Sequence, residues 1–144
     1  FRRLILMIIF LFFCIRFVPI EILNVDIPFL TILLRNNTFS SLFVLLCFLF
    51  VINGANLIDG FNGLLTINLI IINSILAYIN LADGINEFSV VIIGQIIVLF
   101  SFLLFNFPSA KIFLGDSGSY LLGSLVALNI IITVNSFIPS ARLI

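Results

Sequence analysis

Charges are so sparse in this 144-residue chain that the gaps between them decide what it can fold into. Uncharged intervals of 23 residues separate Arg35 from Asp59, Asp59 from Asp83, and Glu87 from Lys111, and 25 separate Asp116 from Arg142. A helix rises about 1.5 Å per residue and a bilayer's hydrocarbon core is about 30 Å thick, so about 20 apolar residues cross it. Each interval is therefore long enough for one crossing. With 63% of residues apolar and 8% charged, against about 25% charged in soluble domains, a water-soluble globular fold is excluded. The expected fold is all-α: a polytopic integral membrane helix bundle of about five transmembrane helices, near residues 4–20, 39–58, 64–81, 88–106 and 120–138. Residues 1–144 read as a single membrane domain. The chain opens on Phe1 and shows no small-residue cleavage site after its first apolar run, so it reads as a piece of a longer protein.

The first span is short and carries Arg16 near its end, where a long side chain can snorkel to the headgroups. Between it and the second span, residues 21–38 hold a short apolar run, 27–34, containing Pro28 and bounded by Asp26 and Arg35. That run is too short to cross and is expected at the interface or in a small strand pair. Because spans alternate direction, the loops around Asp59 and Asp116 fall on one side of the membrane, with Arg2 and Arg3. Glu21, Asp26, Arg35, Asp83 and Glu87 fall on the other. An excess of positive charge marks the cytoplasmic face, which assigns Arg2, Arg3 and both loops to the cytoplasm, although Arg142 lies on the opposite side.

Six basic residues balance six acidic ones and histidine is absent. The chain therefore has no basic patch for nucleic acid and no imidazole for metal binding or proton transfer. Cys14 and Cys47 lie within apolar runs and read as small hydrophobes. Any chemistry rests on carboxylates and amides. An echo between residues 57–62 and 81–86 falls on opposite faces, and Asp-Gly-X-Asn is ordinary turn chemistry.

Two loops concentrate such groups. In the first, Asn53, Asn56 and Asp59 recur every third residue, which puts them on one helix face. Gly60, Asn62 and Gly63 follow, the glycines freeing the backbone to turn. A helix cap followed by a turn would account for part of this pattern, but three polar side chains in register exceed what a turn needs. In the second loop, Lys111 and Phe113 precede Gly115-Asp116-Ser117-Gly118-Ser119. Asp116 alone could be a helix N-cap. Combined with a cation, an aromatic ring and helix-start amides, it suits a phosphate-bearing ligand and a divalent metal.

The pattern Asn53-x-x-Asn56-x-x-Asp59-Gly60-x-Asn62-Gly63-Leu64, followed by Phe113-x-Gly115-Asp116-x-Gly118-Ser119, resembles the polyprenyl-phosphate N-acetylhexosamine-1-phosphate transferases (glycosyltransferase family 4). The likeness covers nearly the whole chain in span order. It implies an enzyme of the bacterial inner membrane that moves a sugar-1-phosphate from a UDP-N-acetylhexosamine to undecaprenyl phosphate. UMP is released, Mg²⁺ is required and Mn²⁺ is a candidate substitute. The product serves cell-wall or lipopolysaccharide synthesis, and the likeness is compatible with a homodimer. By position, Asp116 resembles the metal-binding and catalytic carboxylate and Asp59 the catalytic carboxylate of the nucleotide-sugar loop. Asn53, Asn56, Asn62, Gly63 and Lys111 resemble substrate-binding positions, and Phe113 the ring that packs on uracil. Position 62 is Asn where many members have Asp, and Leu114 stands in place of Met. The paired-Asp and His-rich motifs of the family fall outside residues 1–144, so this piece alone is expected to be inactive. Ile58 and Lys111-Ile-Phe lean toward the N-acetylglucosamine branch.

Two other classes compete. A transporter or channel fragment would use intramembrane polar groups as a pathway, and Asn68, Asn73, Asn129 and Asn135 lie within spans. Such amides more commonly bond neighbouring helices. A non-catalytic membrane piece is the third reading.

Overall fold

The structure, a computed structural model, describes residues 2–17, 22, 25 and 27–141. They form six helices: α1 (Arg2–Phe17), α2 (Pro28–Leu34), α3 (Asn37–Ile58), α4 (Leu64–Ala82), α5 (Asn86–Asn106) and α6 (Gly115–Ala141). No strand occurs among the described residues. Four segments are long and apolar enough to cross a membrane: Asn37–Ile58, Leu64–Ala82, Glu87–Asn106 and Gly115–Ser136. The fold is a polytopic membrane helix bundle.

The expected first span is a helix of 16 residues. At about 1.5 Å per residue it rises about 24 Å, less than the hydrocarbon thickness. The four long helices alone reach crossing length among the described residues. Residues 18–20 of that expected span, and Glu21, Asp26 and Arg142 of the topology argument, lie outside the described residues, as do the side chains of Arg2 and Arg3.

The strand pair considered for the 27–34 run is not formed; residues 28–34 are helical. Pro28 stands at the start of that helix after an extended Ile27, a position where its missing N–H and fixed φ cost nothing. Asn36 then caps α3, its Oδ1 accepting from the N–H groups of Thr38 (3.0 Å) and Phe39 (3.3 Å).

The chain divides into two compact units, Phe1–Phe50 and Val51–Ile144, the boundary falling within α3. In the second unit α4 is the central helix and packs on both α5 and α6. Leu65, Thr66, Leu69, Ile70, Asn73, Leu76, Ala77 and Asn80 of α4 are buried, a helical period wide enough to face two neighbours. In α5 the buried positions narrow to Ser89, Ile92, Leu99 and Asn106, a single stripe. Ile96 and Leu103 pack partly against the same core, while the opposite side of the helix is open, with Val98 and Leu104 66% and 78% exposed, as a lipid-facing surface requires.

Polar side chains hold these helices together. The Asn129 amide on α6 donates to Asn73 Oδ1 on α4 (3.0 Å) and to Gln95 Oε1 on α5 (2.7 Å). The Asn80 amide donates to Thr133 Oγ1 (2.7 Å). Where hydrocarbon offers no competing water, such bonds join helices. Asn73 and Asn129 therefore link helices, as amides in spans were expected to do, while Asn68 bonds within its own helix to the Leu64 carbonyl (2.8 Å).

Gly123 sets the approach of α6 to the end of α3. A Cβ there would lie 3.0 Å from Ile52 Cα and 3.1 Å from Ala55 Cβ, so only hydrogen allows this spacing. One turn before Gly123 on α6 is Ser119, and one turn beyond Ile52 on α3 is Asn56. The close crossing therefore determines what those two side chains meet.

Candidate functional site

The site is built where α3 ends and α6 begins. The Asn56 amide donates to Ser119 Oγ (2.9 Å) and to Asp116 Oδ1 (3.2 Å), joining residues sixty positions apart in sequence. Asp59 follows the last residue of α3, its N–H still bonded to the Ala55 carbonyl at 3.1 Å. It is half-buried, and its carboxyl is held above the ordinary carboxylate range, first by burial and second by repulsion from Asp116. The two carboxylates expected to act together thus feel one another.

Asp116 is in the first turn of α6, which starts at Gly115. It therefore lies one residue inside the helix and does not occupy the N-cap position. Its charge is favoured by the positive end of the helix, and its side chain is exposed. Asn53, a turn before Asn56, is half-buried on α3.

The intervening loops are tied by a residue that sequence reasoning passed over. Asn106, the last residue of α5, is 5% exposed. Its Oδ1 accepts from the Gly63 N–H at 2.6 Å, and its amide donates to the Ile112 carbonyl at 2.7 Å. One side chain thus clamps both loops. Gly63 must be glycine here: its φ is +75°, and a Cβ would stand 3.1 Å from the Phe107 side chain. Asn62 adds a second tie, donating to the Pro108 carbonyl at 3.3 Å, next to a cis Phe107–Pro108 peptide. Lys111 is exposed, its backbone N–H held by the Phe105 carbonyl at 3.0 Å. Phe113 is 68% exposed, a ring presented by the loop and not packed into the bundle.

Asn56, Asp59, Asp116 and Ser119 are therefore together; Asn62 and Gly63 are tied to the loop that carries Lys111 and Phe113. Among the described residues no group of three His, Cys, Asp or Glu side chains could hold a metal. An all-protein cage is absent there, and the donor set is two carboxylates flanked by amides and a hydroxyl. That set fits Mg²⁺, which commonly takes one or two carboxylates and completes its shell with water and substrate phosphates.

Fold and site define a multi-pass membrane protein whose polar residues gather in two interhelical loops at one end of its second unit. The chain belongs to glycosyl transferase family 4, whose family model matches residues 1–134. Three curated relatives carry the name phospho-N-acetylmuramoyl-pentapeptide-transferase. That of Leuconostoc mesenteroides subsp. mesenteroides is 44% identical over 82 residues, 56% of this chain and 25% of the relative. That of Streptococcus equi subsp. zooepidemicus is 42% identical over 92 residues, 59% of this chain and 27% of the relative. That of Clostridium perfringens is 33% identical over 105 residues, 73% of this chain and 33% of the relative. The matched region spans only a quarter to a third of each of these relatives. No solved structure matches.

Proposed function

We propose that the whole protein transfers an N-acetylhexosamine-1-phosphate from a UDP-sugar to a polyprenyl phosphate, in the bacterial inner membrane with both motif loops in the cytoplasm. The observation that carries this reading is the Asn56 bridge to Asp116 and Ser119, which brings the two motif loops to a single point beside Asp59. In the reaction, an oxygen of the lipid phosphate attacks the sugar-bearing phosphorus, the bond between the two phosphates breaks, and UMP leaves with the released charge. Phosphoryl transfer of this kind needs positioning and charge neutralisation more than covalent help from the protein.

Asp116 and Asp59 would hold Mg²⁺, or Mn²⁺ in its place, which supplies charge neutralisation at the diphosphate when bound. Asn56 orients Asp116 from below. Asn53 and Asn62 offer amides to the nucleotide sugar, Gly63 lets its loop lie close to the second one, Lys111 offers a cation to phosphate, and Phe113 offers a ring face to uracil. The apolar outer faces of the spans suit the polyprenyl tail.

The names of the relatives favour an N-acetylmuramoyl-pentapeptide donor, and with it peptidoglycan-precursor synthesis, over the N-acetylglucosamine donor toward which Ile58 and Lys111 lean. UMP release by the full-length protein, supplied with undecaprenyl phosphate, Mg²⁺ and each UDP-sugar in turn, tests both levels. Release with the muramoyl-pentapeptide donor alone is expected. Release with UDP-N-acetylglucosamine instead would reverse the branch, and no lipid-dependent release from any donor would overturn the reaction.

A further inference from the structure

The first compact unit holds a cavity of about 470 Å³ between α1 and α3, lined by Phe12, Arg16, Thr38, Ser41, Leu42 and Leu45. It is remote in sequence from both motif loops and has no part in the proposed transfer. Phe12 and Arg16 are one turn apart on α1, and the four α3 residues follow the i, i+3, i+4, i+7 stripe of a single helix face.

The lining is graded along the helices. Arg16 is in the last turn of α1, and Thr38 and Ser41 belong to the first turns of α3, so the cation and the hydroxyls share one end. Phe12, Leu42 and Leu45 extend the cavity away from that end with apolar side chains only. The Ser41 hydroxyl is engaged with the Asn37 carbonyl at 2.9 Å, and Asn36 already takes the Thr38 and Phe39 N–H groups. Among the described residues, the lining donors left for a ligand are the exposed Arg16 guanidinium and the Thr38 hydroxyl.

A cation and a hydroxyl over an apolar slot, alongside a helix, α3, long and apolar enough to cross a bilayer, match an amphiphile with an anionic head. We propose that this cavity binds an anionic phospholipid, with its phosphate on Arg16 and Thr38 and one acyl chain along Phe12, Leu42 and Leu45. A guanidinium suits phosphate because its N–H fork makes paired, charge-assisted hydrogen bonds. An apolar helix in the same place would leave that charge against hydrocarbon, which is costly. Free phosphate would leave the apolar length of the slot unfilled.

Native mass spectrometry of the purified full-length protein, supplied with either phosphatidylglycerol or phosphatidylcholine, tests this. The wild type should retain phosphatidylglycerol about 5- to 10-fold better than phosphatidylcholine. Arg16→Gln should abolish that preference, Arg16→Lys should keep most of it, and Thr38→Val, which removes only the hydroxyl, should lower it about 2- to 3-fold. Arg35→Gln, a change at an exposed cation outside the cavity, should leave it intact. The proposal is overturned if the wild type shows no preference, as when another segment of the protein fills the slot. It is equally overturned if Arg16→Gln retains the preference, or if inorganic phosphate displaces the lipid.

Discussion

Asp59 and Asp116 are the residues whose chemistry is most exposed to test. Asp59 titrates above the ordinary carboxylate range because it is partly buried and faces Asp116. A carboxyl raised in this way favours the folded state fully below its unfolded-state pKa, and that contribution is lost as pH rises through the folded value. Asp116→Asn removes the second cause and leaves the first. Carboxyl NMR of Asp59 should therefore show its pKa falling toward the ordinary range without reaching it; an unchanged value would mean that the two groups do not interact. The same substitution keeps an acceptor for the Asn56 amide, so the fold should survive; under the proposed transfer, turnover of the full-length protein with Mg²⁺ should then fall by orders of magnitude.

Phe113 is testable at the same scale. If its exposed ring stacks on uracil, Phe113→Leu removes about 1–3 kcal/mol of stacking, or about 5- to 150-fold in affinity. The KM for the UDP-sugar should rise while the KM for lipid phosphate stays put. Equal effects on both, or on neither, would mean that the exposed ring takes no part in uracil binding. Most of this site was legible because a carboxylate beside glycines at the end of an apolar run stands out. Asn106 was not, since one amide closing an apolar helix carries no periodic signal and its partners, Gly63 N–H and the Ile112 carbonyl, are backbone groups that sequence does not display.

At the scale of elements, charge spacing located the helices well, and local capping explains where their ends moved. α4 begins at Leu64 as expected, directly after the positive-φ Gly63. α6 starts at Gly115, five residues before the expected 120, because Asp116, Ser117 and Ser119 form its first turns; polar residues that read as loop are helical there. The contacts between helices were less legible. Gly123 carries no motif or periodic signal, yet it admits the α3 backbone. Gly123→Leu should separate α6 from α3 and destabilise the bundle by about 1–3 kcal/mol. A hydrogen-exchange comparison should place the loosening at Asn56 and Ser119, and an unchanged pattern would contradict the close crossing. Asn129→Leu removes the donor to both Asn73 and Gln95. At about 1–2 kcal/mol per interhelical bond, it should lower the unfolding midpoint more than Asn68→Leu, whose amide serves only its own helix; equal effects would deny the three-helix link.

For the whole molecule, the proposed function requires that the two loops lie on one membrane face and build a single nucleotide-sugar site. α4 carries the chain from the Asp59 loop to Asp83 across 19 helical residues, and α5 carries it back toward Lys111 with 21, so alternation puts Asp83 on the opposite face. Gly60→Cys, Ser117→Cys and Asp83→Cys, each introduced singly into the full-length protein with its native cysteines, Cys14 and Cys47 among them, replaced by Ser, provide three reporters. Gly60 has room for a side chain, its nearest neighbour to a Cβ being the Leu57 carbonyl at 3.8 Å. The decisive measurement is labelling of these thiols by an impermeant reagent in oriented membranes, with and without UDP-sugar. Positions 60 and 117 should label from the same side and both be protected by UDP-sugar, while position 83 should label from the other side without protection. Labelling of 60 and 83 from one side, or protection of only one of the two loops, would mean that the loops do not share one face and one site.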